Sequence, residues 1–243
     1  MKKQVKIVIL IILLSIPTSY ILGETTIIGA KGYFTVPIPD TPTKGDIDIN
    51  TGYIFTPGNF YLSLNTSPIN NLELYAGKEI LTTTSGQEFK GTPFIIGSKY
   101  MFYGKSSGFK AALGVHVQFI SKDVGLPGTP ISIYGLVSDN AGKLGYISTG
   151  IGYTLGINAG YDIDFLLALK KAIIGNQLYF IGEFTNFSIR EGLGLPWNTN
   201  RGIFNAGLLL YLNDFLSFKL AFYDLFDNFL TVGLGGEVKI RAF

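Results

Sequence analysis

From Gly45 to the C-terminus, apolar and polar residues exchange places at almost every step, and this period of two constrains the fold more than any other feature of the chain. In "SGFKAALGVHVQFIS" one phase holds Phe109, Ala111, Leu113, Val115, Val117 and Phe119, while the other holds Lys110, Ala112, Gly114, His116 and Gln118. The pattern returns in "NLELYAGKEI", where Leu72, Leu74, Ala76 and Ile80 oppose Asn71, Glu73, Tyr75, Gly77 and Glu79, with Lys78 the exception. It returns again with Ile163, Phe165, Leu167 and Leu169 against Asp162 and Asp164, and with Val232, Leu234, Val238 and Ile240 against Glu237, Lys239 and Arg241. Side chains of a strand point alternately to its two faces, so each segment predicts a strand with one apolar face and one polar face.

Turn-forming clusters divide the pattern into about twelve strands: 45–56, 59–66, 71–82, 92–103, 109–120, 130–138, 145–154, 159–169, 177–186, 202–212, 215–224 and 229–242. Most approach the roughly 9–11 residues of a tilted membrane-spanning strand. A soluble sandwich also alternates, but its polar phase meets water and carries many Lys, Glu and Asp. Here that phase is rich in Gly, Ser, Asn and Tyr with isolated charges, and only 15% of all residues are charged, against about 25% in ordinary soluble domains. The fold expected is an all-β transmembrane antiparallel up-and-down barrel of about twelve strands, within a range of ten to fourteen. Tracing back from the C-terminus puts short turns at 67–70, 104–108 and 212–214 on one side and the longer loops 83–91, 121–130 and 187–200 on the other.

The chain begins "MKKQVKIVILIILLSIPTSYILGETT", with Lys2, Lys3 and Lys6 ahead of an apolar run from Ile7 to Leu14, the layout of an export leader cleaved after Gly23. That run is far shorter than the ~20 residues of a spanning helix. Residues 1–23 are therefore expected to be a signal peptide, 24–44 an N-terminal segment and 45–243 the barrel. Without the leader, 19 − 3 = 16 basic residues face 17 acidic ones, which leaves no electrostatic footprint for nucleic acid. The absence of Cys excludes disulfides and a lipid-modified cysteine. Residues 24–44 are too rich in Pro for a central strand. They are expected to lie either inside the lumen as a plug or across its mouth.

Leader, absence of Cys, alternation and terminal Phe243 together resemble the Gram-negative-type outer-membrane β-barrel proteins, and "GYFTVPIPDTPTKGDIDINTGY" followed by "NTSPINNLELYAGKEI" is loosely similar to YjbH-type small barrels. The resemblance implies an outer-membrane location, with membrane lipids, the outer-membrane assembly machinery and small polar solutes as partners. Phe243 stands where such barrels carry their assembly signal, although it shares its phase with Arg241, Lys239 and Glu237 instead of with Val238 and Ile240.

The polar phase assigns Asp46, Asp48, Glu73, Lys99, Lys110, His116, Gln118, Asp162, Asp164, Glu183, Lys219, Glu237, Lys239 and Arg241 to the lumen, and Trp197 in the "LPWNT" loop is an expected interface anchor. With Glu79, the charges number eight acids (Asp46, Asp48, Glu73, Glu79, Asp162, Asp164, Glu183, Glu237) to five bases (Lys99, Lys110, Lys219, Lys239, Arg241), a mixed lining with weak cation preference. Because closing a barrel makes its first and last strands neighbours, Asp46 or Asp48 is expected near Lys239 or Arg241. His116 has no Ser-Asn-Gly stretch after it of the kind outer-membrane phospholipases carry, so it reads as a lumen side chain and not as a catalytic base. One His, no Cys and paired carboxylates such as Asp46 and Asp48 do not make a metal site, and no cofactor is expected. The expected function is a passive channel or transport pore for small polar solutes. The alternative is a plugged structural or binding barrel serving adhesion, envelope anchoring or polymer export by a partner.

Overall fold

The structure is a computed structural model and describes residues 24–55, 58–81, 94–104, 108–119, 129–155, 163–186, 202–226 and 231–241. Among the described residues, two short strands, β1 (Glu24–Thr25) and β2 (Lys31–Gly32), precede twelve long ones. The latter are β3 (Asp46–Ile54), β4 (Asn59–Ile69), β5 (Leu72–Leu81), β6 (Phe94–Gly104), β7 (Lys110–Phe119), β8 (Ile131–Asn140), β9 (Tyr146–Leu155), β10 (Ile163–Ile174), β11 (Leu178–Thr185), β12 (Ile203–Asn213), β13 (Leu216–Tyr223) and β14 (Thr231–Arg241). Each pairs antiparallel with its sequence neighbours, and β14 pairs with β3 to close the barrel.

Alternation settles which way each strand faces. Along β4, Asn59, Tyr61, Ser63, Asn65 and Ser67 are buried while Phe60, Leu62 and Leu64 are exposed, an inversion of the soluble rule. The same holds around the ring, where Ile96, Leu113, Ile133, Ile151 and Leu167 all stand outside, Ile151 at 65% exposure. An exterior of this kind suits hydrocarbon, and closure leaves the belt without an edge strand whose backbone groups lack partners.

The tight turns whose residues are all described lie at one end of the barrel: Asn70–Asn71, Ala141–Gly145 with a 3-10 turn at Gly142–Leu144, Gly175–Gln177 and Asp214–Phe215. Asn71 takes the left-handed conformation, φ 67°, which Asn tolerates better than most residues. Two boundaries differ from the sequence expectation. The turn placed at 67–70 is mostly strand, because a register shift between Thr66 and Ile69 accommodates Pro68 and lets β4 continue to Ile69. Strand β10 does not stop at 169 but runs to Ile174, with an irregularity between Ala172 and Ile174, and Lys170 faces inward because it continues the phase of Asp164, Leu166 and Ala168. The loops at 83–91 and 187–200 fall outside the described residues, as does most of 121–130.

The seam joins β14 to β3 from Gly233↔Ile54 to Arg241↔Asp46, with Lys239 opposite Asp48. Lys239 Nζ lies 2.8 Å from Asp46 Oδ2, so the ends of the sequence meet through an ion pair as the barrel topology requires. Inside the wall, tyrosine rings lie flat across glycines of adjacent strands. A Cβ at Gly114 would come within 2.5 Å of Tyr134 Cε2, one at Gly97 within 2.6 Å of Tyr75 Cε2, and one at Gly52 within 2.6 Å of Tyr61 Cζ. The two central rings are joined by a 2.8 Å hydrogen bond between the hydroxyls of Tyr75 and Tyr134.

Overpacking a filled interior typically costs about 1–3 kcal/mol. Gly114→Val is therefore expected to displace the Tyr134 ring and lower barrel stability by that amount, read from the urea midpoint of the micelle-refolded protein. An unchanged midpoint would show that the ring-over-glycine contact is dispensable.

Candidate functional site

The interior of the barrel is occupied by the chain's own residues 24–40. The segment folds back on itself: β1 and β2 pair as Glu24↔Gly32 and Thr25↔Lys31, Ile27 N donates to Phe34 O at 3.0 Å, and Ile38 N donates to Lys31 O at 2.9 Å. Its apolar side chains Ile27, Ile28, Tyr33, Phe34, Val36 and Ile38 are all buried, packed with wall residues such as Ile54, Leu166, Ile181 and Leu209. Two hollows in the wall admit it. Gly77 leaves room for the backbone of Ile28, whose carbonyl carbon would stand 2.6 Å from a Cβ there, and Gly207 does the same for the Phe34 ring at 2.8 Å.

Polar contacts with the wall fall chiefly on the segment's main chain. Glu183 on β11 accepts from three consecutive amides, Phe34 N at 2.8 Å, Thr35 N at 3.1 Å and Val36 N at 3.0 Å, and from Thr35 Oγ1 at 2.8 Å. Asn205 Nδ2 adds a bond to the same carboxylate at 3.2 Å. Glu73 accepts from Lys31 N at 2.5 Å and pairs with Lys99 at 2.6 Å, and Lys99 donates in turn to Lys31 O and Ile38 O at 3.1 and 2.6 Å. Glu237 accepts from Thr25 N at 2.7 Å, Lys219 donates to Thr25 O, and Asn50 Nδ2 donates to Thr25 O at 2.9 Å. A charge taken out of water is costly unless it is paired and hydrogen-bonded, and the segment's amides and carbonyls supply those partners.

Three groups converge on the start of the segment. Tyr211 donates to Glu24 Oε1 at 2.8 Å, and Lys170 and Lys219 each stand 3.8 Å from a Glu24 oxygen. Lys170 also lies 4.3 Å from the Tyr179 ring centroid and donates to Tyr211 at 2.9 Å. Burial pushes the Glu24 carboxyl above its usual range, and Lys219 and Lys170 pull it back. At the other end of the segment Asp40 pairs with Lys110.

Of the residues assigned to the lumen from sequence, Asp46, Asp48, Glu73, Lys99, His116, Gln118, Asp164, Glu183, Lys219 and Glu237 are buried inside the barrel, and Lys110 and Lys239 are half-buried. His116 packs between aromatic neighbours, its Nδ1 3.4 Å from the Tyr75 hydroxyl and its ring 6.0 Å from that of Tyr134. Asp164 accepts from Thr154 at 2.5 Å, and Thr154 is joined to Ser132. Arg241 stands opposite Asp46 in register, while Asp162, Trp197 and Phe243 lie outside the described residues. Sequence reasoning missed Lys170, Tyr211, Asn50 and Asn205. Lys170 was within reach, since it continues the phase of Asp164, Leu166 and Ala168; the others are uncharged and gave no signal beyond their phase.

Losing a hydrogen bond to a charged group costs roughly 1.5–3 kcal/mol. Glu183→Gln is thus expected to raise hydrogen exchange at the Phe34, Thr35 and Val36 amides by about 10- to 100-fold, measured by mass spectrometry in micelles. Unchanged exchange at those amides would mean that the carboxylate does not hold the segment.

No family model matches the chain, and no curated protein matches it in sequence. Its fold does match solved structures. The KdgM porin, also solved in complex with disordered oligogalacturonate, is 10% identical with a TM-score of 0.54, covering 79% of this chain and 98% of that one. The NanC porin is 13% identical with a TM-score of 0.52 over the same shares. The closed ring of twelve strands, its apolar exterior and these likenesses agree: the chain has the fold of an outer-membrane, porin-like β-barrel.

Proposed function

We propose that the protein is an outer-membrane channel for small polar solutes whose passage is closed, in the state described, by its own residues 24–40. The observation that carries this reading is the chemistry of the interior. Enclosed carboxylates and ammonium groups take partners from an insert that is not a barrel strand, so the polar lining survives as a passage when the insert leaves. The KdgM and NanC barrels of similar fold are porins, and one was solved with oligogalacturonate, which supports a small polar solute here.

Residues 1–23 act in this reading as the export leader. Cleavage after Gly23 makes Glu24 the first residue of the mature protein. The membrane lipids then contact the apolar belt, and the assembly machinery reads the end of the chain at Phe243. With the insert out, Glu183 loses three amide partners and has Asn205 beside it, whereas Glu73 keeps Lys99. The cleared lining is therefore weakly cation-preferring.

The chain contains no cysteine, so an engineered pair is unambiguous. Asn65 Nδ2 donates to Thr25 Oγ1 at 3.0 Å, so cysteines at the two positions can be joined oxidatively through a short bis-methanethiosulfonate linker that forms a reducible disulfide at each end. In planar bilayers Thr25→Cys/Asn65→Cys is expected to be silent when oxidised and to show discrete steps of weak cation preference when reduced. Steps of equal size and frequency in both states would refute closure by the segment. Silence of the reduced, folded protein would favour the filled structural barrel.

A further inference from the structure

The contacts between wall and insert have a chemical bias that closure alone does not need. Glu183 reads three successive amides, Glu73 and Glu237 one amide each, and Lys99 and Lys219 two carbonyls each. Ser63 and Asn50 add bonds to Thr26 O at 2.9 and 3.3 Å. These atoms are common to every polypeptide. Features specific to the insert are the seat of the Phe34 ring at Gly207, the clamp of Lys170, Lys219 and Tyr211 on the carboxylate of Glu24, the hydroxyl contacts of Thr25 with Asn65 and of Thr35 with Glu183, and the Asp40–Lys110 pair.

We infer that the lumen is a binding site for a folded-back polypeptide segment recognised chiefly through its main chain, with an acidic residue at its head, and that residues 24–40 are its resident ligand, exchangeable for a peptide of the same kind supplied in trans. The inference rests on the insert being separable from the wall, as in the proposed function, but not on conduction. Main-chain recognition also explains why carboxylates and amines are both retained in so small a space, since amides need acceptors and carbonyls need donors. The link from the insert to β3 is where exchange can be initiated, because Thr43 and Lys44 are exposed.

The test uses the intact folded protein. A protease site is introduced at Thr43–Lys44, the refolded protein is cut, and a fluorescent synthetic peptide of residues 24–43 is added in excess. Uptake of the labelled peptide with release of the cut fragment is expected, one for one. A peptide of the same sequence N-methylated at Phe34, Thr35 and Val36 keeps every side chain but removes three donors, and is expected to compete at least 10-fold more weakly. An Ile27→Val peptide trims one buried apolar side chain and keeps every amide, and is expected to compete within a few-fold of the parent. Failure of the parent peptide to exchange would overturn the inference, as would an N-methylated peptide that competes as well as the parent. Bilayer recordings of the same cut protein separate the two readings. Peptide uptake without conductance after fragment loss preserves the binding site and sinks the channel, whereas conductance without peptide uptake does the reverse.

Discussion

A carboxylate enclosed within a barrel of this size must be given hydrogen-bond donors, and much of the interior follows from how that demand is met. Glu183 is 1% exposed, and it obtains its donors from three amides that belong to a segment outside the barrel's strand ladder. Water meets such a demand in a wide pore. Here a piece of protein does so, and its apolar side chains fill the volume that solvent otherwise takes up. The wall is therefore polar and the interior nonetheless has a hydrophobic core, built from Ile27, Phe34 and Val36 against Ile54, Ile181 and Leu209.

The two faces of the barrel solve opposite problems with the same backbone. Outside, Leu62 and Ile133 keep about half of their surface, 49% and 53%, clear of the protein because hydrocarbon is their solvent. Inside, tyrosines laid across Gly52, Gly97 and Gly114 cover backbone that has no side chain of its own, and their hydroxyls join the polar interior. Large rings beside missing side chains let a ring of twelve strands close around a filled centre without strain between neighbours.

Strand number, direction and facing were legible from the sequence because alternation is a local property that survives without knowledge of partners. The meeting of Asp46 with Lys239 was legible too, since closure is a topological necessity. The reading failed at strand ends: Pro68 was taken as a turn although a register shift absorbs it, and Lys170 was placed beyond a strand that in fact keeps its period through that residue and continues to Ile174. Where residues 24–40 lie was not legible. The segment has neither period, and what holds it is spread over Glu73, Glu183, Lys99, Lys219 and Glu237, five residues brought together only by the closed ring.

Thr25 touches more of the wall than its two-residue strand suggests. Its amide is held by Glu237 of β14, its carbonyl by Asn50 of β3 and Lys219 of β13, and its hydroxyl by Asn65 of β4. Those four strands run consecutively across the seam, the one junction in the ring that joins the two ends of the sequence. The insert thus serves as a clasp on the inner side of the hoop, and clearing the lumen and slackening the hoop at its joint become a single mechanical event.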